Sequence, residues 1–141
     1  MIQKSVVLRC DPARAFGLFT ENAGEWWPAD RRHTDDVEST IHMQSSGRFF
    51  ERASDGTEIE LGVVRVFEPP ERLVLDWYPG TGPANATRVD VRFEAVEHGT
   101  LVSVTHDAGA ATAETFARNA AAYSRSWDSV LACFLVTSTL Q

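Results

Sequence analysis

The sequence predicts an α+β fold in which a curved antiparallel β-sheet wraps around one long C-terminal helix. From residue 37 to residue 107 the chain consists of short strand-like runs separated by turn residues, which is typical of an antiparallel meander. From residue 112 onward the apolar side chains recur at helical spacing instead, over a length that needs a broad apolar surface to cover it. The meander offers that surface, so we expect a single α+β domain over residues 1–141.

Composition and charge restrict the class of function. The chain has 141 residues, of which 43% are hydrophobic and 23% are charged, as in ordinary globular domains with one core. Its net charge of -7 disfavours binding to nucleic acid and to anionic membranes, both of which attract basic surfaces. We find no signal peptide and no membrane-spanning segment, so we expect a cytoplasmic protein. Cys10 and Cys133 should then be buried thiols, with a disulfide as the alternative.

The chain begins with a predicted strand over residues 2–10 and continues into a short helix. Asp11 can cap this helix, and Pro12 suits its first position because the amide hydrogen that proline lacks is not needed there. The helix should end near Thr20. A further helical turn is expected to hold residues 26–27, which are both tryptophan, and a polar loop should follow it.

Six strands should form the meander, at residues 37–43, 47–53, 58–67, 72–78, 87–97 and 100–107. Asp55-Gly56 and His98-Gly99 are typical hairpin turns. Pro69-Pro70 marks a connection, because neither proline can donate a hydrogen bond to a sheet. The strand after residue 87 alternates apolar and charged side chains. Its inward-facing residues should be Val89, Val91, Phe93 and Ala95. The loop at residues 79–86, rich in glycine and proline, could act as a lid.

The last predicted element is a helix over residues 112–137. Its apolar side chains form one stripe, which consists of Phe116, Ala120, Tyr123, Trp127, Val130 and Phe134. A strand, two short helices, a six-stranded meander and this long helix together form a helix-grip arrangement. Because a curved sheet and a straight helix do not fill all the space between them, we expect an internal cavity that is open at one end.

Five motifs lie on these predicted elements: Ala13-Arg-Ala-Phe16, Ser46-Gly-Arg-Phe-Phe-Glu-Arg52, Glu68-Pro-Pro-Glu-Arg-Leu73, Thr87-Arg-Val-Asp-Val-Arg-Phe93 and Trp127-Asp-Ser-Val-Leu131. At these spacings the chain resembles the SRPBCC or START-like superfamily. It is most similar to the small stand-alone bacterial members of the branch named after the activator of the heat-shock-protein ATPase. The chain departs from that branch at Ser126, where glycine is common, and at Leu61, where many relatives have tryptophan. The resemblance covers nearly the whole chain and implies the helix-grip fold.

The resemblance implies three hypotheses about function. Most such domains bind lipids, polyketides, hormones or other hydrophobic small molecules between sheet and helix, a minority catalyse cyclisation or hydrolysis there, and eukaryotic relatives stimulate a chaperone ATPase through a surface contact. We favour a non-catalytic binding domain for a small hydrophobic ligand, because the sequence contains no nucleophile with a base and an orienting group. A cyclase- or hydrolase-type enzyme is the second hypothesis. A protein-interaction module is the third, which the lack of the activators' additional domain disfavours. A homodimer is left open.

Strand alternation and helical spacing direct a set of mostly apolar side chains toward the expected cavity. The predicted ligand-binding residues are Trp27, Phe49, Val64, Trp77, Phe93, His106, Tyr123 and Trp127. Three of these, Trp27, Trp77 and Trp127, could form an aromatic clamp around the ligand, with plain core packing as the alternative.

Three titratable residues are candidates for acid–base chemistry, although we assign no catalytic residue. His106 shares a strand face with Val102 and Val104, so it should point inward, either toward a ligand or toward a structural partner. Glu51 and Glu60 should enter one cavity from neighbouring strands, so that at least one has a raised pKa. The alternative is that a bulge aims one or both at solvent. The histidines and cysteines lack metal-ligand spacing, and no cofactor motif is present, so we expect neither a metal nor a cofactor.

Overall fold

The computed structural model describes residues 1–21, 23, 27, 33–34, 36, 38–78 and 82–140, with side chains up to residue 136. The described strands are β1 (Ile2–Leu8), β2 (Thr40–Met43), β3 (Arg48–Arg52), β4 (Glu58–Glu68), β5 (Arg72–Trp77), β6 (Thr87–Val96) and β7 (Gly99–Asp107). The described α-helices are α1 (Pro12–Thr20) and α2 (Ala113–Leu140), and a short 3₁₀ turn spans Pro83–Asn85. Residue 26 of the predicted turn, the first predicted residue of β2 and part of the predicted lid lie outside the described residues, whereas Trp27 is described and buried.

The strands form one antiparallel sheet in the order β1-β7-β6-β5-β4-β3-β2. This confirms the predicted meander and the first strand, which pairs with the last one along its whole length. The sheet curls, and α2 lies across its concave face. The α+β helix-grip fold predicted from the sequence is therefore confirmed, with strand and helix ends that differ from the prediction by a few residues.

An extra residue in β4 changes which side chains face the core. Phe49 pairs with Gly62, whereas Phe50 pairs with Glu60, so Leu61 has no partner of its own on β3. One extra residue reverses the alternation of faces. Leu61 is fully buried in the core, and Glu60 lies on the outer face and is exposed. Gly62 has no room for a side chain, because a Cβ atom there would lie 2.9 Å from the Phe49 ring.

Helix α1 begins as predicted. The side chain of Asp11 accepts a hydrogen bond at 2.8 Å from a backbone N–H group of the first turn, and Pro12 is the first helical residue. Phe16 and Phe19 on this helix are buried. Their ring centroids lie 5.2 Å and 5.9 Å from that of Phe93 on β6, which fixes α1 across one end of the sheet.

Helix α2 covers the sheet with the predicted stripe, of which Phe116, Trp127, Val130 and Phe134 are buried and Ala120 and Tyr123 are half-buried. Arg118 and Arg125, on the opposite side of α2, are exposed. The helix packs along β1, where Lys4 and Asp128 form an ion pair at 2.9 Å. Neither described helix is long and apolar enough to cross a membrane.

Two smaller predictions have opposite outcomes. Cys10 and Cys133 are free thiols, as expected, but both are half-buried where burial was predicted. Ala95 was expected in the core but is exposed, because the end of β6 borders a surface groove that it shares with Pro12 and Pro70. The regular alternation of β6 therefore continues beyond the point at which its inner face is covered.

Candidate functional site

His106 on β7 points into the core, and none of its surface is exposed. The indole N–H of Trp127 donates a hydrogen bond to its Nδ1 at 3.0 Å. Its Nε2 lies 2.6 Å from the hydroxyl oxygen of Thr87, and that hydroxyl donates to the backbone carbonyl of Trp77 at 3.2 Å. Both ring nitrogens of His106 are therefore engaged by side chains of the protein.

This chain of hydrogen bonds also determines the protonation state of the imidazole. An indole can only donate, so Nδ1 of His106 must accept and the ring proton lies on Nε2. Burial lowers the pKa of His106 to about 4, against a smaller opposing effect of Asp107. His106 is thus a neutral anchor at neutral pH, and it would have to give up one of these bonds before it could act as a base toward a ligand.

His106 belongs to a cluster of ring side chains, called the aromatic cluster below, whose members are Trp27, Phe49, Trp77, His106, Phe116, Tyr123 and Trp127. Trp77 lies near its centre, with its ring centroid 5.2 Å from Trp127 and 5.4 Å from Phe49. Tyr123 lies 4.6 Å from His106. Side chains of β3, β5, β7 and α2 therefore meet at one end of the sheet.

Two members of the aromatic cluster reach the surface. The buried members are Trp27, Phe49, His106, Phe116 and Trp127. Trp77 and Tyr123 are only half-buried. Trp77 projects from the concave face of the sheet and Tyr123 from the stripe of α2, so the accessible part of the cluster lies where the sheet and the helix face each other. A small molecule could contact the cluster there.

The structure brings most of the predicted ligand-binding residues together, namely Trp27, Phe49, Trp77, His106, Tyr123 and Trp127. Val64 lies in the core on β4. Phe93 packs against α1 at the other end of β6. Thr87 and Phe116 also belong to this site, although neither is among the residues predicted from the sequence to bind a ligand. Thr87 has the same strand parity as Val89, so alternation along β6 contains the signal that would have placed it inward.

The prediction that Glu51 and Glu60 share one cavity is wrong. The extra residue in β4 puts Glu60 on the outer face, whereas Glu51 faces inward and is fully buried. The carboxylate of Glu51 accepts hydrogen bonds from the backbone N–H groups of His33 and Thr34, at 2.8 Å and 2.9 Å. Burial alone would raise the pKa of Glu51, but these bonds, together with bonds from nearby hydroxyl groups, outweigh burial and lower that pKa. Glu51 is an ionised structural carboxylate, the opposite of the raised pKa that was predicted.

A second carboxylate ties the same segment to the sheet. Asp36 accepts hydrogen bonds from the backbone N–H group of Ser54, at 2.7 Å, and from its hydroxyl. His33 and Thr34 are thus attached to β3 through Glu51, and Asp36 is attached to the turn after β3 through Ser54.

Comparison with protein families matches residues 9–134 to the model described as Activator of Hsp90 ATPase homolog 1-like protein. Comparison with curated protein sequences found no match. Solved structures similar to this one include CalC from Micromonospora echinospora, which is described as a self-sacrificing resistance protein. It has 26% sequence identity and a TM-score of 0.73, and the match covers 97% of this chain and 92% of CalC.

Two further structures have the same fold at lower identity. A protein from Rhodobacter sphaeroides has 22% identity and a TM-score of 0.73, with 99% of this chain and 92% of that chain covered. The Aha1 dimer from Colwellia psychrerythraea has 16% identity and a TM-score of 0.65, with 95% and 92% covered. The family match extends over most of the chain and agrees with the fold and with the resemblance of the motifs. The chain belongs to the family of Activator of Hsp90 ATPase homolog 1-like proteins.

Proposed function

We propose that this protein is a binding domain for a small hydrophobic molecule, which contacts the aromatic cluster beside Trp77. The observation that supports this proposal is the exposure of Trp77. Its ring contacts those of Trp27, Phe49, Trp127 and His106, yet it stays half-buried. Ligand sites are typically lined by aromatic side chains with a few polar groups among them. A ligand beside Trp77 would complete the burial of this ring.

The position of α2 explains why large rings meet at this place. The helix packs most closely along β1, at one edge of the sheet. Strand β5, which lies further across the sheet, reaches α2 through the large ring of Trp77, whose centroid is 5.2 Å from that of Trp127. The rings of Trp77 and Trp127 therefore bridge the sheet and the helix at the place where the proposed ligand would contact Trp77.

Family membership points in the same direction. Related helix-grip domains commonly bind hydrophobic molecules between the sheet and the long helix. A homodimer is part of the proposal, because the similar structure from Colwellia psychrerythraea is described as a dimer. If light scattering gives the mass of a monomer at all protein concentrations, the proposed homodimer is refuted.

The alternative of an acid–base enzyme has less support. Glu51 is fully engaged with residues 33–34, Glu60 lies on the outer face, and both nitrogens of His106 are bonded. These three residues do not form the acid–base set that the hypothesis required. Among the residues that the structure describes, no group of three His, Cys, Asp or Glu side chains is placed to hold a metal ion.

The test is a titration with Nile red, an uncharged dye whose emission shifts in apolar surroundings. We expect saturable binding by the wild type and a loss of at least tenfold in affinity for Trp77→Ala, which removes the central ring of the accessible surface. Native mass spectrometry of freshly purified protein would reveal a retained small molecule in the same preparation.

Phe50→Ala provides the matched control. Phe50 is also a buried aromatic residue, 1% exposed, but it lies on the outer face of the sheet, stacked on His42 at 4.8 Å. The Phe50→Ala variant should be less stable than the wild type, because it replaces a large side chain with a small one in a packed site. Its affinity for the dye should be unchanged. If Phe50→Ala and Trp77→Ala weaken binding equally, the dye is reporting partial unfolding. No saturable binding by the wild type would overturn the proposed function.

A further inference from the structure

A surface groove lies beside the end of β6 that is farthest from the aromatic cluster. It has a volume of about 480 Å³ and lies between the start of α1, the turn from β4 to β5, and the end of β6. Pro12, Pro70, Phe93 and Ala95 give it an apolar lining. Thr87, which is bonded within the aromatic cluster, and Ala95 lie near opposite ends of β6, about 26 Å apart at the usual rise of a strand. The groove is therefore separate from the proposed ligand site.

The backbone of β6 has an unpaired edge inside this groove. Its pairing with β5 ends where Arg92 meets Arg72, and the N–H group of Phe93 donates one further bond, at 2.9 Å, to the carbonyl of Glu71. Backbone groups alternate between the two sides of a strand, so those of Ala95 point to the same side as those of Phe93. No described strand pairs with β6 on that side of Ala95, which is exposed. Its N–H and carbonyl groups are therefore open to a partner.

The charges around this edge are mostly negative. Glu68, Glu71 and Glu94 line the groove and are exposed, and none of them takes part in an ion pair between described residues. The two arginines that line the groove, on β5 and β6, both bind the carboxylate of Asp90, at 2.9 Å and 3.5 Å. Three carboxylates thus remain available to a positively charged partner.

These features indicate what kind of partner fits. An unpaired strand edge binds an extended peptide through main-chain hydrogen bonds, and alternate side chains of the peptide provide specificity. A strand beside β6 directs its side chains alternately to the apolar face of Phe93 and Ala95 and to the opposite face, where Glu94 lies. Basic side chains complement that acidic face. A second copy of this chain is disfavoured, because two chains of net charge -7 repel each other.

We propose that the groove binds an extended, basic segment of a partner protein, which continues the sheet beside β6. The backbone of the segment pairs with that of Ala95. Its lysine or arginine side chains meet Glu68 and Glu94, and its apolar side chains pack on Pro12 and Pro70. This interaction is additional to the binding of a small hydrophobic molecule and does not depend on it.

The test uses a fluorescein-labelled peptide of alternating valine and lysine, and the same peptide with glutamate in place of lysine. Fluorescence anisotropy gives the dissociation constants of both peptides for the full chain and its variants. We expect saturable binding of the lysine peptide alone, and weaker binding at higher salt because exposed charges are screened. Glu94→Lys should weaken binding of the lysine peptide roughly five- to tenfold.

Glu114→Lys is the matched control for charge. It makes the same change at an exposed position in the first turn of α2, outside the groove. Its affinity for the lysine peptide should stay within about twofold of the wild-type value, because distant exposed charges are screened. Equal weakening by Glu94→Lys and Glu114→Lys would mean that the peptide responds to net charge alone, and would overturn the proposal.

Ala95→Pro tests the strand edge. It removes the N–H group that points away from β7, and proline is tolerated at such an edge. Affinity for the lysine peptide should fall roughly tenfold or more. Ala95→Ser is the matched control, because it keeps the N–H group and nearly the same size, and it should bind as the wild type does. Urea unfolding shows whether both variants keep the wild-type fold.

Amide hydrogen exchange observes the same edge in the wild type. The amide of Ala95 should exchange rapidly in the free protein and slowly with saturating lysine peptide. The amide of Phe93 is the internal reference, because it is already bonded to Glu71 and should exchange slowly in both states. An Ala95 amide that stays unprotected, equal binding of the two peptides, or no binding of the lysine peptide would overturn the proposal.

Two controls separate this groove from other occupants and from the proposed ligand site. If light scattering shows a dimer that Ala95→Pro dissociates, the occupant is a second copy and the basic partner is refuted. Nile red should bind Glu94→Lys as tightly as the wild type. Loss of peptide binding with normal dye binding would overturn the groove proposal alone, and the reverse result would overturn the proposed function alone.

Discussion

Mild acid should destabilise this fold, and His106 gives the reason. The ordinary pKa of a histidine is 6.5, whereas burial lowers the pKa of His106 to about 4. Between these values the unfolded chain binds a proton at this residue and the folded chain does not, so the free energy of unfolding falls as the pH falls. Each pH unit in this range removes about 1.4 kcal/mol, and the whole contribution is on the order of 3 kcal/mol. It is fully present above pH 6.5.

The assay is urea unfolding followed by circular dichroism, for the wild type and for His106→Gln, at pH values from about 7.5 to about 4.5. Glutamine offers an acceptor and a donor but does not titrate. The variant should be less stable at neutral pH, and its stability should depend less steeply on pH, so that the two proteins converge by about 2 to 3 kcal/mol on acidification. His42, whose pKa burial also lowers, is present in both proteins, so its effect cancels.

Two results would refute this reasoning. A difference in stability between the two proteins that stays constant over the whole pH range would mean that His106 titrates alike in the folded and unfolded chains. The second test is an NMR titration of the imidazole carbons. The folded protein should keep the neutral Nε2–H form of His106 well below pH 6.5. A midpoint near the ordinary histidine value would show that the ring is not held as the structure describes.

Two further predictions concern the groups that hold the site. Trp127→Ala should lower the free energy of unfolding in urea by about 3 to 5 kcal/mol, because it empties a buried ring site. Trp127→Phe should lower it by about 1 to 2 kcal/mol, because it removes the donor to His106. A loss below about 1 kcal/mol for Trp127→Ala would mean that α2 does not close the core. Glu51→Gln should cost about 1 to 3 kcal/mol, since it weakens the acceptor for residues 33–34, while Glu94→Gln, exposed on β6, should stay within about 0.5 kcal/mol. Equal effects of the two Glu→Gln changes would contradict the burial of Glu51, as would a carboxyl-carbon titration with a midpoint above the ordinary value.

The parts of the fold that the sequence predicts well are set by patterns within one element. The alternation along β6, the Asp11-Pro12 start of α1 and the aromatic stripe of α2 each depend on neighbours a few residues apart. Side-chain period and capping chemistry are local properties, so these elements could be assigned without knowledge of their partners. The same argument places His106 inward, because its strand face follows from Val102 and Val104.

The carboxylates show where local patterns fail. Glu60 shares sequence parity with Val64, and a regular strand would put both on one face. The extra residue at Leu61 breaks that relation, and it is defined by pairing with β3, which the sequence of β4 does not contain. Gly62 was the available signal, because glycine inside a strand often marks a bulge or a close backbone approach. The donors to Glu51 come from residues 33–34, in a segment without a regular sequence pattern. The direction in which the pKa of Glu51 shifts could therefore not be predicted.

The hydrogen bonds divide the aromatic cluster into a fixed part and an adjustable part. His106, Thr87 and Trp127 hold one another across β7, β6 and α2, so a change at any of them leaves a buried polar group unpaired, at a cost to folding. The side chains of Trp77 and Tyr123 make ring contacts but no side-chain hydrogen bonds within the described chain. Substitution of their polar atoms therefore costs little stability. Under the proposed function, substitutions at these two positions would alter contacts with the ligand while the fixed part preserves the fold.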